Sequence, residues 1–207
     1  HSDVIEHVVD PVAFLKTQFR QLNKGGVLVI ATPDSTESLL HGDISMILHQ
    51  HLNYFDRESL GKTVVAAGFD NIYIEKAKYG GSLYCLAKKK SKTRKAFPIN
   101  NDVSSVKFEK FLRKHVKLKS RMKRYVDNVL SNKNNSLGFY APVRAFPYLG
   151  LINENFNFRF FDDTAYWHMK YFDGLPIKIE NFKDLEINPV TDLLIMSPTF
   201  GEKIEQK

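Results

Sequence analysis

The sequence predicts an α/β protein built from an incomplete Rossmann-like sheet, a long linking helix and a second small Rossmann-like α/β domain. Three observations carry this. Residues His1 to Asp34 read as a loop, an amphipathic helix, a Gly-Gly turn and a buried strand, which is part of an alternating α/β unit. Around residues 103–130 apolar side chains recur near the helical period. Residues 137–207 then alternate strand-like and helix-like runs once more.

The elements follow in order. From Pro11 to about Asn23, Val12, Leu15, Phe19 and Leu22 stand three and four apart on one helix face. Gly25-Gly26 stops that helix, because glycine accepts the positive φ of a C-cap. The run GVLVIATP has no polar alternation, the pattern of a parallel strand covered on both faces. A polar loop, a helix over about Asp56–Ala67, the Gly68 stop and the strands NIYIEKA and SLYCLAKK around Tyr79-Gly80-Gly81 complete a first domain over 1–90. It has the order of the closing half of a seven-stranded mixed sheet. A basic linker and long helix occupy 91–136, with Phe108, Leu112, Leu118, Met122, Val126 and Val129 on the apolar face. The third region, 137–207, is expected to hold a glycine turn at Gly138, a helix around Arg144–Leu151, a strand ending at Asp162 and a strand over 192–197.

Composition narrows the function classes. A chain of 207 residues at 43% hydrophobic can bury one or two ordinary cores. Its apolar runs, such as Val27–Ala31, fall far short of the roughly 20 residues that span a bilayer, so no membrane partner is expected. One cysteine, Cys85, permits neither an internal disulfide nor a thiolate zinc site, and it suits a reducing cytoplasm. The net charge of +7 is concentrated: residues 88–124 hold 15 Lys/Arg against Asp102 and Glu109. The run Lys88–Lys95 lacks the interleaved aromatics that stack bases, so it reads as a solvated linker and no nucleic-acid partner is expected. No G-x-G-x-x-G occurs and the first residue is His. The chain is therefore expected to be a truncated or processed piece of a larger protein. Oligomeric state is left open.

The densest titratable cluster is His49-Gln50-His51, with His41 and Asp43 upstream. Histidine is the economical general base near neutral pH, although a histidine satisfied by backbone fits the same residues. Alternate residues of an extended chain point to opposite sides, so one of His49 and His51 faces a given pocket. No H-E-x-x-H or third ligand lies nearby in sequence, and no metal is expected. Glu6 and Asp10 precede the first helix and read as acids favouring its N-terminus. Residues Gly138 to Ala145 stand where either a phosphate-binding turn or a plain strand-to-helix turn would sit, with Arg144 able to grip a phosphate in two bonds.

These segments resemble a known family. SDVIEHVVDP followed by a helix and NKGGVLVIATPD is similar to the "lEH..dp" and "kpGG.l.i..P" stretches of class I S-adenosylmethionine-dependent methyltransferases, and HQHLNYFDRESLGKTVVAAGF resembles their next segment. GFYAPVRAFPYLGL, FRFFDDTAYWHMKYFDGLPIKI and DLLIMSPTFGEKI resemble the C-terminal domain of the sugar C-methyltransferases. The resemblance implies S-adenosylmethionine as cofactor, with Ser2, Asp3 and His7 at the edge of its pocket, and a nucleotide-linked keto-sugar as substrate. It further implies that His51 is the base that removes a carbon-bound proton, flanked by His49 and Gln50. Leu48 and Gln50 stand where the family has Tyr and Glu. Gly138, Tyr140, Arg144 and Asp162 would face the substrate's nucleotide. The family's cysteine-rich zinc domain and glycine loop are not among these residues, so this piece alone is expected to bind the cofactor weakly and to be inactive. A methyltransferase for a non-sugar acceptor and a catalytically silent nucleotide-sugar-binding module are the competing readings.

Overall fold

The computed structural model describes residues 1–47, 50–78, 81–89, 103–152, 158–197 and 201–206. Its contacts divide into two compact units, one of His1–Leu40 with Leu48–Phe111 and one of His41–Ile47 with Leu112–Lys207. The α/β expectation holds in both.

In the first unit, helix α1 (Pro11–Gln21) begins at the Asp10 cap, whose carboxylate accepts from the Ala13 N–H at 2.8 Å, with Pro11 pre-set for the first helical position. At its other end the Lys89 Nζ donates to the carbonyls of Phe19 and Leu22, satisfying groups the helix cannot. Strand β1 (Val27–Pro33) follows the Gly25 turn, where φ is +79°. The segment after β1, expected to be loop, contains a short helix, α2 (Thr36–His41). Helix α3 (Arg57–Ala66) starts in a reciprocal cap between Asp56 and Ser59. Strands β2 (Asp70–Lys76) and β3 (Ser82–Lys88) complete the sheet.

The sheet order is β1-β3-β2, and β3 runs antiparallel to both neighbours. The last strand thus inserts between two that are parallel to each other. One face, with Leu28, Ile30, Ile74, Leu83, Cys85 and Ala87, packs with Ile5 of the entering chain and with Leu15, Leu60 and Val64 of the helices. Burial pushes the Cys85 thiol up to about 12, which leaves it inert at neutral pH. The other face departs from the expected two-sided cover: Val27, Val29, Tyr73, Tyr84 and Leu86 are all 43% or more exposed.

Helix α4 (Val103–Leu130) spans the expected residues. Phe108 and Leu112 are exposed, whereas Val126 and Val129 are buried in the second unit's core, with Leu118 and Met122 packed against it. Its C-terminal half is therefore core structure as well as connection. The expected turn at Gly138 is in fact a strand, β4 (Leu137–Tyr140), with all four residues buried. A Cβ at Gly138 would stand 2.8 Å from Phe161 and 3.0 Å from Leu193, so the glycine serves close strand packing. Helix α5 (Pro142–Ile152), strands β5 (Phe158–Asp162), β6 (Ile179–Asn181) and β7 (Asp192–Ile195), and helix α6 (Gly201–Glu205) follow. The sheet order is β6-β5-β4-β7 and every pairing is parallel, as the alternation of elements predicted. Among the described residues no helix is long and apolar enough to cross a membrane.

Two predictions follow from these contacts. Gly138→Ala forces Phe161 or Leu193 to move and should cost about 1–3 kcal/mol, read as a lower urea midpoint. Burial alone would raise the Asp56 carboxyl, but the Ser59 N–H, Lys107 and the Ser59 hydroxyl hold it below the usual carboxylate range. Its contribution is thus present above the unfolded value and lost as pH falls through the lower folded value. Asp56→Ala should destabilise by about 1 kcal/mol at pH 7, with the difference from wild type shrinking below about pH 4.

Candidate functional site

The chain enters alongside β1. Ser2 forms a parallel bridge with Ala31, with the Asp3 N–H donating to the Ala31 carbonyl at 2.9 Å. Asp3 then takes a left-handed backbone, φ +50°, and turns the chain across the carboxyl end of β1. A single 3₁₀ turn, Ile5–His7, comes next. Ile5 fills the core, and Glu6 follows it inward to 2% exposure. Its Oε2 accepts from the Thr32 hydroxyl at 3.0 Å, while Oε1 has no hydrogen-bond partner.

A second segment, distant in sequence, is stitched onto this turn. The N–H groups of Leu52 and Asn53 both donate to the Glu6 carbonyl, at 2.8 and 3.0 Å, and the Asn53 amide donates to the Val8 carbonyl at 2.7 Å. This fixes His51 beside His7, their ring centroids 4.9 Å apart and inclined at 69°. The Tyr54 ring centroid lies 6.4 Å from that of His51. The His7 Nδ1 is 2.8 Å from the Gln50 carbonyl; a carbonyl can only accept, so Nδ1 carries the hydrogen. The His7 Nε2 stands 3.7 Å from Glu6 Oε1.

Two histidines and a buried carboxylate thus converge at the carboxyl end of β1, the strand that the entering chain bridges in parallel at Ser2. One atom from each of Glu6, His7 and His51 falls within 4.8 Å of the others. A trio at that spacing could hold a metal ion, with Glu6 as the third ligand that sequence spacing did not offer. Its chemistry is that of proton binding at an imidazole beside a negative charge.

Of the residues singled out in the sequence, His7, Gln50 and His51 come together here, and Gln50 contributes its backbone carbonyl. Ser2 and Asp3 lie exposed at the entry, the Ser2 hydroxyl donating to the Asp3 carboxylate at 2.9 Å. His49, with Leu48, lies outside the described residues. Glu6 is the residue that sequence reasoning misread: the helix cap is Asp10, and Glu6 is buried. Thr32 and Asn53 were missed altogether, because their roles rest on contacts 26 and 45 residues away.

In the second unit, Tyr140 and Asp162 end the parallel strands β4 and β5, and Arg144 stands in the first turn of α5. Ala141, at φ +61°, makes the turn between β4 and α5. Burial and a hydrogen bond to Asp163 push the Tyr140 hydroxyl well above its ordinary value, which keeps it neutral. The Asp162 carboxylate accepts from the Thr164 N–H at 2.8 Å. Gly138 sits back inside β4, away from this rim.

Residues 1–74 match the family model of a methyltransferase domain. The matched segment contains Glu6, His7 and His51. A solved structure is also similar: a SAM-dependent methyltransferase from Thermotoga maritima, described as a possible histamine N-methyltransferase. It is 22% identical, with a TM-score of 0.36, over 43% of this chain and 54% of its own length. The chain thus spans about half of that structure. No curated protein matches the chain.

The Thr32 contact yields a test. Thr32→Val removes the hydrogen bond to a buried carboxylate and should destabilise by about 1–3 kcal/mol in urea unfolding, whereas Thr164→Val, at an exposed threonine that makes no side-chain cap bond, should be near neutral.

Proposed function

We propose that the protein takes part in S-adenosylmethionine-dependent methyl transfer to carbon, on a nucleotide-linked sugar or related acceptor, with His51 as general base. The observation that carries this reading is the Glu6–His7–His51 cluster at the carboxyl end of β1, inside the segment that matches a methyltransferase domain.

The cofactor, when bound, supplies an electrophilic methyl group. The residues at the entry suit its edge: Ser2 and Asp3 are exposed at the strand end and offer a hydroxyl and a carboxylate to ribose or amino groups. On the acceptor, an imidazole nitrogen of His51 takes a proton from the carbon beside a carbonyl. The electron pair left on that carbon would then be available to the methyl group that a cofactor held at Ser2 and Asp3 would supply. The proton stays on His51 until solvent removes it.

Glu6 gives this scheme its charge balance. Gln50 occupies the position of the family's glutamate and cannot hold an imidazolium by charge. The buried Glu6 carboxylate, with one oxygen directed at His7, places a negative charge within reach of both rings. Tyr140, Arg144 and Asp162 are the second unit's candidates for contact with the acceptor's nucleotide; Gly138 acts there through strand packing.

In the full-length protein, His51→Ala should lower methyl transfer from radiolabelled S-adenosylmethionine by roughly two to four orders of magnitude while leaving cofactor binding within about threefold. Unchanged turnover would remove His51 from the chemistry.

A further inference from the structure

The charge on α4 is one-sided in a way the methyl-transfer reading does not use. From Val103 to Leu130 the helix carries nine Lys/Arg against Glu109 and Asp127, so the whole chain's net charge of +7 resides on this one element. Asp127 is occupied: the Lys123 Nζ pairs with it at 2.9 Å, one helical turn away.

A groove of about 510 Å³ runs along the second unit's part of this helix. Leu118, Arg121, Met122 and Tyr125 line it at spacings of three and four, one continuous face of α4, with Arg124 at its rim and Leu194 of β7 opposite. The volume lies within the usual range for a small-molecule site, about 300–1,000 Å³. The Tyr125 hydroxyl donates to the Asp192 carboxylate, which ties α4 to the start of β7 and fixes the tyrosine's position. That bond, with burial behind it, raises the Tyr125 hydroxyl above its ordinary value, so it adds no negative charge.

The two arginines have no carboxylate partner among the described residues. Arg124 Nε donates to the Ser120 carbonyl on its own helix at 3.3 Å, which leaves its terminal nitrogens available. Two guanidinium groups three residues apart on a helix have Cβ atoms about 5–6 Å apart, close enough to serve adjacent phosphates of one ligand. Beside them Leu118, Met122 and Leu194 provide apolar surface, which favours a ligand whose charged end is joined to an apolar or planar body.

We propose that this groove binds a small molecule through a diphosphate, with Arg121 and Arg124 on the phosphate oxygens and the rest of the ligand along Leu118, Met122 and Leu194. The site lies wholly within the second unit and does not depend on methyl transfer. A diphosphate on an apolar body has two chemical sources, a nucleoside diphosphate and an isoprenoid diphosphate.

The test is calorimetric titration of the full chain with inorganic pyrophosphate, uridine diphosphate and geranyl diphosphate at 150 mM salt. The double variant Arg121→Ala/Arg124→Ala should weaken binding of at least one organic diphosphate tenfold or more. The charge-matched double variant Lys110→Ala/Lys117→Ala, which leaves the groove lining and the Lys123–Asp127 pair intact, should change it less than threefold. All four side chains are exposed on the helix, and helical circular dichroism checks that both variants fold. The organic ligand that binds more tightly than pyrophosphate names the source. No binding of any probe at millimolar concentration, or equal weakening by the two double variants, would overturn the site, the second by reducing it to diffuse attraction. A failure here leaves His51 and cofactor binding untouched, so the two readings fail separately.

Discussion

Everything at the candidate site depends on one buried carboxylate. Glu6 is 2% exposed and has a single side-chain hydrogen bond, from Thr32. Burying a charge is costly unless neighbouring groups compensate it. The surrounding backbone is organised around that residue: its own carbonyl receives two N–H groups from 52–53, and those bonds bring His51 to His7. The geometry of the two histidines is thus a consequence of where Glu6 is held. An apolar side chain at this position would take away the acceptor of the Thr32 hydroxyl and the carboxylate oxygen 3.7 Å from the His7 Nε2.

Local features of the fold were legible in the sequence. Helices α1 and α3 carry apolar periodicity bounded by Asp10, Asp56 and glycine stops, and α4 has 28 residues over which its period can declare itself. Elements too short to show a period were not legible: α2 has six residues and β6 three. Strand β4 was hidden for another reason, since a glycine between Leu137 and Phe139 looks like a turn until Phe161 and Leu193 are seen to occupy the space of its missing side chain.

The site was legible in its residue types and illegible in its assembly. His51 could be picked out as reactive and His7 as an edge of the cofactor pocket, yet 44 positions separate them and no spacing rule joins them. Glu6 was misread because an acid ahead of a helix looks like a cap, and only the tertiary structure shows that Asp10 has that task. In the second unit, strand direction decided the matter. All four strands run parallel, so Tyr140 and Asp162 share one edge of the sheet, whereas Gly138, two residues earlier, does not reach it.

The exposed side of the first sheet has a thermodynamic consequence. Val27, Val29, Tyr73, Tyr84 and Leu86 form rows on adjacent strands, with Val29 and Tyr73 both opposite Leu86. A molecule that covered those rows would bind the folded sheet and not the unfolded chain, and so would stabilise the fold by mass action. The unfolding midpoint of this unit would then become a property of two concentrations rather than of one sequence.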